Sequence, residues 1–373
     1  MMIYADNAAT TKLDIDAFEA MTPYLLSEYG NASQPYSFSR SAKKAIKEAR
    51  QIIANCINAT PEEIYFTSGG TESDNWAIKG SAFYDQEKRE TITSSIEHHA
   101  LLRSCSAVHQ LGYPITYIGV SNDGVVSAHE LADAISSKTR LVSVMLVNNE
   151  IGTIQPIQEL CRIAHENNAI FHTDAVQALG HIKVDVQELG VDMLSASAHK
   201  FNGPKGIGFL YIRKGTQIVP LSDGGAQEFG FRAGTENVAA IVGMAVALKK
   251  NCARIDEHAE YINTLEEALL SRLRQTNIDF VRNGSSSHAP GNISLSFKNA
   301  NGEAILHRLD LMGICISTGS ACDSVNTQIS HVLRAIKLDE SYARGTIRIS
   351  LSYENTIEEA ERIAHCLIKI LKS

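Results

Sequence analysis

Over the first two-thirds of the chain, short apolar runs alternate with stretches in which apolar residues return every third or fourth position. The runs at 64–67, 91–94, 115–118, 141–147, 169–173, 193–196 and 207–212 predict strands. The spacing over 72–83, 101–111, 128–135 and 157–166 predicts helices between them. Such alternation is the pattern of βαβ units around a mostly parallel sheet. Thr60-Pro61-Glu62-Glu63 reads as a capping box with proline at the first helical position, a short turn before a strand. Beyond about Asn251 the rhythm changes. A charged helix is predicted over 256–276, strands over 278–281, 292–297, 314–317 and 345–351, and a closing helix over 356–371. Thr356 and Glu359 form its capping box, and Ala360, Ile363, Ala364, Leu367 and Leu371 its apolar stripe. The second part is thus α+β, with a boundary between 245 and 258.

With 373 residues the chain exceeds the usual size of one hydrophobic core. No apolar run approaches the ~20 residues that cross a bilayer. Met1-Met2-Ile3-Tyr4-Ala5-Asp6 lacks the basic and apolar regions of a signal peptide, so a cytoplasmic protein away from membranes is expected. A formal net charge of −8 disfavours direct binding of nucleic acid. Arg40, Lys43, Lys44, Lys47 and Arg50 are read as the solvated face of an amphipathic helix. The seven cysteines (Cys56, Cys105, Cys161, Cys252, Cys315, Cys322 and Cys366) show no CxxC pair, which predicts reduced thiols and no zinc. His98-His99 has no HExxH pattern beside it, and no metal site is expected.

Three segments carry candidate chemistry. Ser68-Gly69-Gly70-Thr71-Glu72-Ser73 joins a predicted strand to a helix, where converging N–H groups suit a phosphate; a plain turn is the alternative. Asp174 ends an apolar strand at the edge where ligands of open α/β sheets sit. It is either a helix N-cap or the partner of a buried cation such as a protonated pyridine nitrogen. Lys200 follows small residues in Ser195-Ala196-Ser197-Ala198-His199-Lys200 and precedes Asn202-Gly203-Pro204-Lys205-Gly206. It is a surface lysine or, in a confined pocket, an amine able to form a Schiff base. All three occur in this order on one α/β scaffold, and the conjunction favours pyridoxal 5'-phosphate (PLP).

The chain closely resembles cysteine desulfurases of the NifS/IscS-like group, members of the aspartate-aminotransferase fold superfamily. The likeness runs from Tyr4-Ala5-Asp6-Asn7-Ala8-Ala9-Thr10-Thr11 to Arg348. It includes Thr67-Ser68-Gly69-Gly70-Thr71-Glu72-Ser73-Asp74-Asn75, Glu97-His98-His99-Ala100 and Val147-Asn148-Asn149-Glu150. Asp174-Ala175-Val176-Gln177, Ala198-His199-Lys200, Arg232-Ala233-Gly234-Thr235-Glu236-Asn237 and Gly319-Ser320-Ala321-Cys322 complete it. The resemblance implies a PLP-dependent transferase of fold type I. Its large domain, 15–250, would hold a mostly parallel mixed sheet, and a smaller α+β domain of 1–14 and 251–373 would carry the cysteine loop. Lys200 would hold PLP covalently and move protons, and Asp174 would keep the pyridine nitrogen protonated. His98 would stack on the ring and serve as acid and base. Asn149 and Gln177 would bond its polar substituents; Gly70, Thr71, Ser197, His199 and Thr235, the last from a second subunit of a homodimer, would hold phosphate. Arg348, with Asn31, would bind the substrate, Arg348 by clamping its carboxylate.

Cys322 decides the implied reaction. Among Ser317, Thr318, Gly319, Ser320 and Ala321 its thiolate can take the sulfur of L-cysteine as a persulfide and leave L-alanine. The expected partner is a protein sulfur acceptor, an iron–sulfur cluster scaffold or a thiolation enzyme. Asp323, Tyr36 and Ser39 stand where relatives commonly have Thr or Ser, His and Gly. The chain stops at Ser373, where housekeeping members continue, so weak coupling to a housekeeping scaffold is expected. The rival readings are another PLP lyase or aminotransferase such as a selenocysteine lyase, an idle sulfur-carrier subunit, and a nucleotide-binding module. The last lacks any GxxxxGK[ST].

Overall fold

A computed structural model describes residues 2–85, 87–318 and 329–372. Its central sheet has seven strands, in the order Ile64–Thr67, Gly208–Ile212, Met193–Ser197, Ile170–Asp174, Thr139–Ser143, Glu90–Ser94 and Ile115–Ile118. From Met193–Ser197 to Ile115–Ile118 neighbours run parallel; Gly208–Ile212 alone opposes both of its neighbours. This is the mostly parallel mixed sheet expected of an α/β fold. Strands such as Met193–Ser197 and Gly208–Ile212 are buried at every position, as sheets covered by helices on both faces require. The helices Ile157–Glu166 and Arg40–Cys56 cover it through apolar stripes, Leu160, Ile163 and Ala164 on one and Ala42, Ala45, Ile46, Ala49 and Ile53 on the other.

A second core gathers Leu265, Leu269, Ile293, Leu295, Phe297, Ile347, Ile349, Ile363 and Leu367 around the antiparallel strands Thr346–Ser350, Asn292–Phe297 and Phe280–Arg282. Ile3–Tyr4 pairs in parallel with Ile314–Cys315, and Ile3 and Ala5 belong to this core. On these observations we propose the division into 15–250 and 1–14 with 251–373. The Thr60 and Thr356 capping boxes both form, with each serine-like hydroxyl and each Glu side chain engaged. Among the described residues, no helix is long and apolar enough to cross a membrane.

Two expectations need correction. The run 141–147 is strand only through Ser143. Beyond it Val144 and Leu146 still donate to His172 and Asp174, but Gln155 donates back to Leu146, so the chain turns and presents Asn149. Arg50 does not lie on a solvated face. It is buried, forms a two-pronged pair with Glu228 (both contacts 2.7 Å) and stands 4.4 Å over the Phe66 ring. Glu228 also accepts the Phe66 N–H at 2.8 Å, and its partner lies far along the chain, beyond the reach of helical periodicity.

Candidate active site

The candidate residues converge where the parallel strands end. Asp174 closes Ile170–Asp174; Lys200 lies three residues past Met193–Ser197; Gly69 and Gly70 follow Ile64–Thr67; His98 follows Glu90–Ser94. Ligands of open α/β sheets occupy this carboxyl edge.

The glycine turn opens a helix at close quarters. Gly69 has φ 146°, a conformation side chains rarely adopt, and a Cβ on Gly70 would come within 2.7 Å of Val176 Cγ2. The 15-residue helix Gly70–Tyr84 starts there, with its unpaired N–H groups and positive dipole end. Ser197 lies against it, its Oγ 3.4 Å from where a Gly69 Cβ would sit. Thr71 is exposed at the helix start. His199 is half-buried, its Nδ1 3.1 Å from Thr10 Oγ1, and burial, aided by the charges of Lys200 and Lys205, pushes its pKa down to about 4.

Asp174 is 5% exposed and receives the Val176 N–H at 2.9 Å. Burial lifts its carboxyl to about 6; the Val176 hydrogen bond and the charge of Lys200 oppose the rise. Two further buried carboxyls stand near it. Glu97, accepting from Met145 N–H and Ser94, is pushed up to about 8 by burial. Asp74 is raised well above the usual carboxylate range, by burial and then by the charge of Asp174. Glu97 therefore stays largely protonated near neutrality, whereas Asp174 ionises. A buried carboxylate of this kind calls for a cation, and a protonated pyridine nitrogen fits. His172, two positions earlier on the same strand face, is held neutral by burial, with a pKa of about 3, between Ser143 at 2.8 Å and Ser195 at 2.9 Å.

His98 caps the helix His99–Gln110: its Nδ1 accepts the Ala100 N–H at 3.1 Å, which leaves the proton on Nε2. Burial, then the Lys200 charge, lowers its pKa to about 4.

The N-terminal segment runs through the site, a feature missed in the sequence although 4–11 had stood out as a motif. Lys200 Nζ donates to Ala8 O (2.6 Å) and Ala9 O (2.8 Å), and Gln177 Nε2 donates to Ala8 O (2.9 Å). Asp6 pairs with Arg348 Nη2 at 2.8 Å, while Arg348 Nη1 donates to Asn149 O at 2.9 Å. Arg348 is buried, and its Nε has no partner among the described residues. Arg348 thus reaches from the antiparallel sheet to the Asn149 turn of the large one.

Not every candidate joins this cluster. Thr235 is exposed, on a loop anchored by Arg232 to Glu72 at 2.8 Å. Asn31 is half-buried and its Oδ1 caps Ser33 N–H at 2.9 Å. Cys322 and Asp323 lie outside the described residues.

The donor set fits PLP: a turn that needs glycine, a buried carboxylate within the field of a lysine, and a histidine held neutral. Comparison with known proteins agrees. A relative from Dictyoglomus turgidum named cysteine desulfurase IscS is 48% identical over 99% of this chain and 94% of its own length. Among solved structures, a NifS-like protein superposes with a TM-score of 0.94 at 38% identity, covering all of both chains. A structure of SspA in complex with cysteine gives 0.84 at 38% identity, covering 94% of this chain and 98% of that one. The sequence model of the class-V aminotransferases matches residues 3–363, and the chain belongs to that family.

Proposed function

We propose that the protein is a PLP-dependent cysteine desulfurase, converting L-cysteine to L-alanine and leaving the sulfur on Cys322 as a persulfide. The observation that carries this reading is the meeting of Lys200, Asp174 and His98 with the Gly69–Gly70 helix start at one sheet edge, faced by Arg348. Gly70, Thr71, Ser197 and His199 would hold the phosphate; Asn149 and Gln177 would hold the ring substituents. When bound, PLP supplies an electron sink for the substrate's Cα.

The chain's own groups account for the rest. Arg348 presents a planar donor to the substrate carboxylate, with Asp6 and the Asn149 carbonyl fixing its plane. Asn31 would complete the substrate contacts. Lys200 lies where an amine can take the Cα proton and return it. His98, neutral with its proton on Nε2, can donate that proton and recover it. Cys322 takes the substrate sulfur: an S–S bond forms, the Cβ–S bond breaks, and the three-carbon remainder gains a proton to leave as alanine. Sulfur then passes to a protein acceptor, a cluster scaffold or a thiolation enzyme in the cytoplasm.

The working unit is a homodimer, with Thr235 completing the partner's phosphate site. In support, Phe18, Leu25, Leu26, Tyr29, Tyr36 and Phe38 form an exposed apolar stretch, with Leu26 at 74%.

The test has two arms. Borohydride reduction of the PLP-loaded protein should attach the cofactor to Lys200, and attachment at Lys205 would overturn the site. Cys322→Ala should keep the cofactor's visible band and lose nearly all alanine formation from cysteine; full turnover in that variant would refute the reaction.

A further inference from the structure

Outside the candidate site, two thiols that the sequence separates widely line one cleft. Cys56 is the last residue of the helix Arg40–Cys56, and Cys252 the last of Val238–Cys252. Both are half-buried free thiols lining one cleft of about 810 Å³. Lys183, Lys249 and Arg254 line the same cleft, as do Asp256 and Glu257. The two thiols lie close enough to influence each other's titration, as does the backbone N–H of Gly180 that of Cys252.

This arrangement divides the pair. Proton sharing with Cys56, then the Gly180 N–H, lowers the Cys252 thiol against its burial. The same interaction, with burial second, raises Cys56, which keeps the shared proton. Other thiols behave differently: burial pushes Cys105 and Cys161 up to about 12, which makes them poor nucleophiles at neutral pH. A lowered thiol, a neighbouring thiol that holds the proton, and a cleft with cations at hand are what thiol–disulfide exchange needs.

We propose that Cys56 and Cys252 form a dithiol site that reacts with low-molecular-weight disulfides and closes to an intramolecular disulfide. The Cys252 thiolate attacks one sulfur of the small disulfide; a mixed disulfide forms, and the first small thiolate leaves and takes up a proton. Cys56, giving up its proton, then attacks the Cys252 sulfur and expels the second small thiolate, which is protonated in turn. The small disulfide is reduced to two thiols, and the protein loses two hydrogens. The new bond ties the end of one helix to the junction between Val238–Cys252 and Ile255–Arg274.

The test treats the full-length PLP-loaded protein with oxidised glutathione near pH 8, quenches with acid and maps peptides without reduction. The expected product is a Cys56–Cys252 cross-linked peptide that dithiothreitol splits; Cys322, a reactive thiol elsewhere, is followed separately in the same map. In Cys56→Ser the glutathione adduct should persist on Cys252, and in Cys252→Ser no adduct should form on Cys56 at a comparable rate. Wild-type protein in which both cysteines stay free while Cys322 is modified would overturn the proposal. So would a lasting glutathione adduct on either residue without the cross-link.

Discussion

Removing the active-site carboxylate should stabilise the cofactor-free protein. Asp174→Asn keeps the shape and the acceptor for the Val176 N–H, and removes only the charge. In the cofactor-free chain burial lifts this carboxyl from 3.8 to about 6. Because the folded pKa lies above the unfolded one, the group favours folding below pH 3.8, and that advantage is lost as pH rises through about 6. Carrying the charge above pH 7 therefore costs about 3 kcal/mol relative to the protonated form, falling to about half of that at pH 5. An unfolding entropy of about 2.1 cal/mol/K per residue over 373 residues gives roughly 0.8 kcal/mol/K. Three kcal/mol then moves Tm by about 4 °C. Scanning calorimetry of cofactor-free protein at pH 7.5 should show Asp174→Asn melting about 4 °C above wild type, with the gap about halved at pH 5. Adding PLP should raise Tm more in wild type than in the variant, since the pyridine cation offsets a charge that only wild type carries. The buried histidines titrate in both proteins and cancel in the difference. A variant melting at or below wild type at pH 7.5, or a gap that ignores pH, would refute the reasoning.

Other consequences are as direct. Arg50→Ala strands Glu228 in the core; breaking such a pair costs about 3–5 kcal/mol, a fall of about 4–6 °C in Tm, and Arg50→Met with Glu228→Met should recover much of it. Asp6→Asn weakens the contact that fixes the plane of Arg348, so KM for cysteine should rise, by up to about tenfold, with kcat little changed. A fall in KM would mean that Asp6 only competes with the substrate for Arg348. His98, His199 and His172 are held neutral, with pKa values of about 4, 4 and 3, so each favours folding above 6.5 and loses that contribution as pH falls toward 4. His172→Gln should accordingly flatten the acid limb of a Tm–pH profile.

Local signals were legible in the sequence because they act over a few residues. The capping boxes at Thr60 and Thr356, the glycine turn at 68–70 and the strand ends carrying Asp174 and Lys200 are all written within one turn or one strand. What escaped depends on residues far apart in the chain. Arg50 sits among lysines on a helical repeat and looked solvated, yet a carboxylate at 228 draws it inward. Asp6 stood in a recognised motif with no role until Ser350 and Arg348 came alongside it through the antiparallel sheet. Cys56 and Cys252 looked like two unrelated reduced thiols, since nothing in either segment says that two helices end beside the same cleft. The buried carboxyls show the same divide at the level of charge. Asp74, Glu97 and Asp174 are chemically alike in the sequence. Only burial, hydrogen bonding and mutual repulsion set how far each is raised, to about 8 at Glu97 and about 6 at Asp174, so that Asp174 ionises near neutrality and has a cation to find.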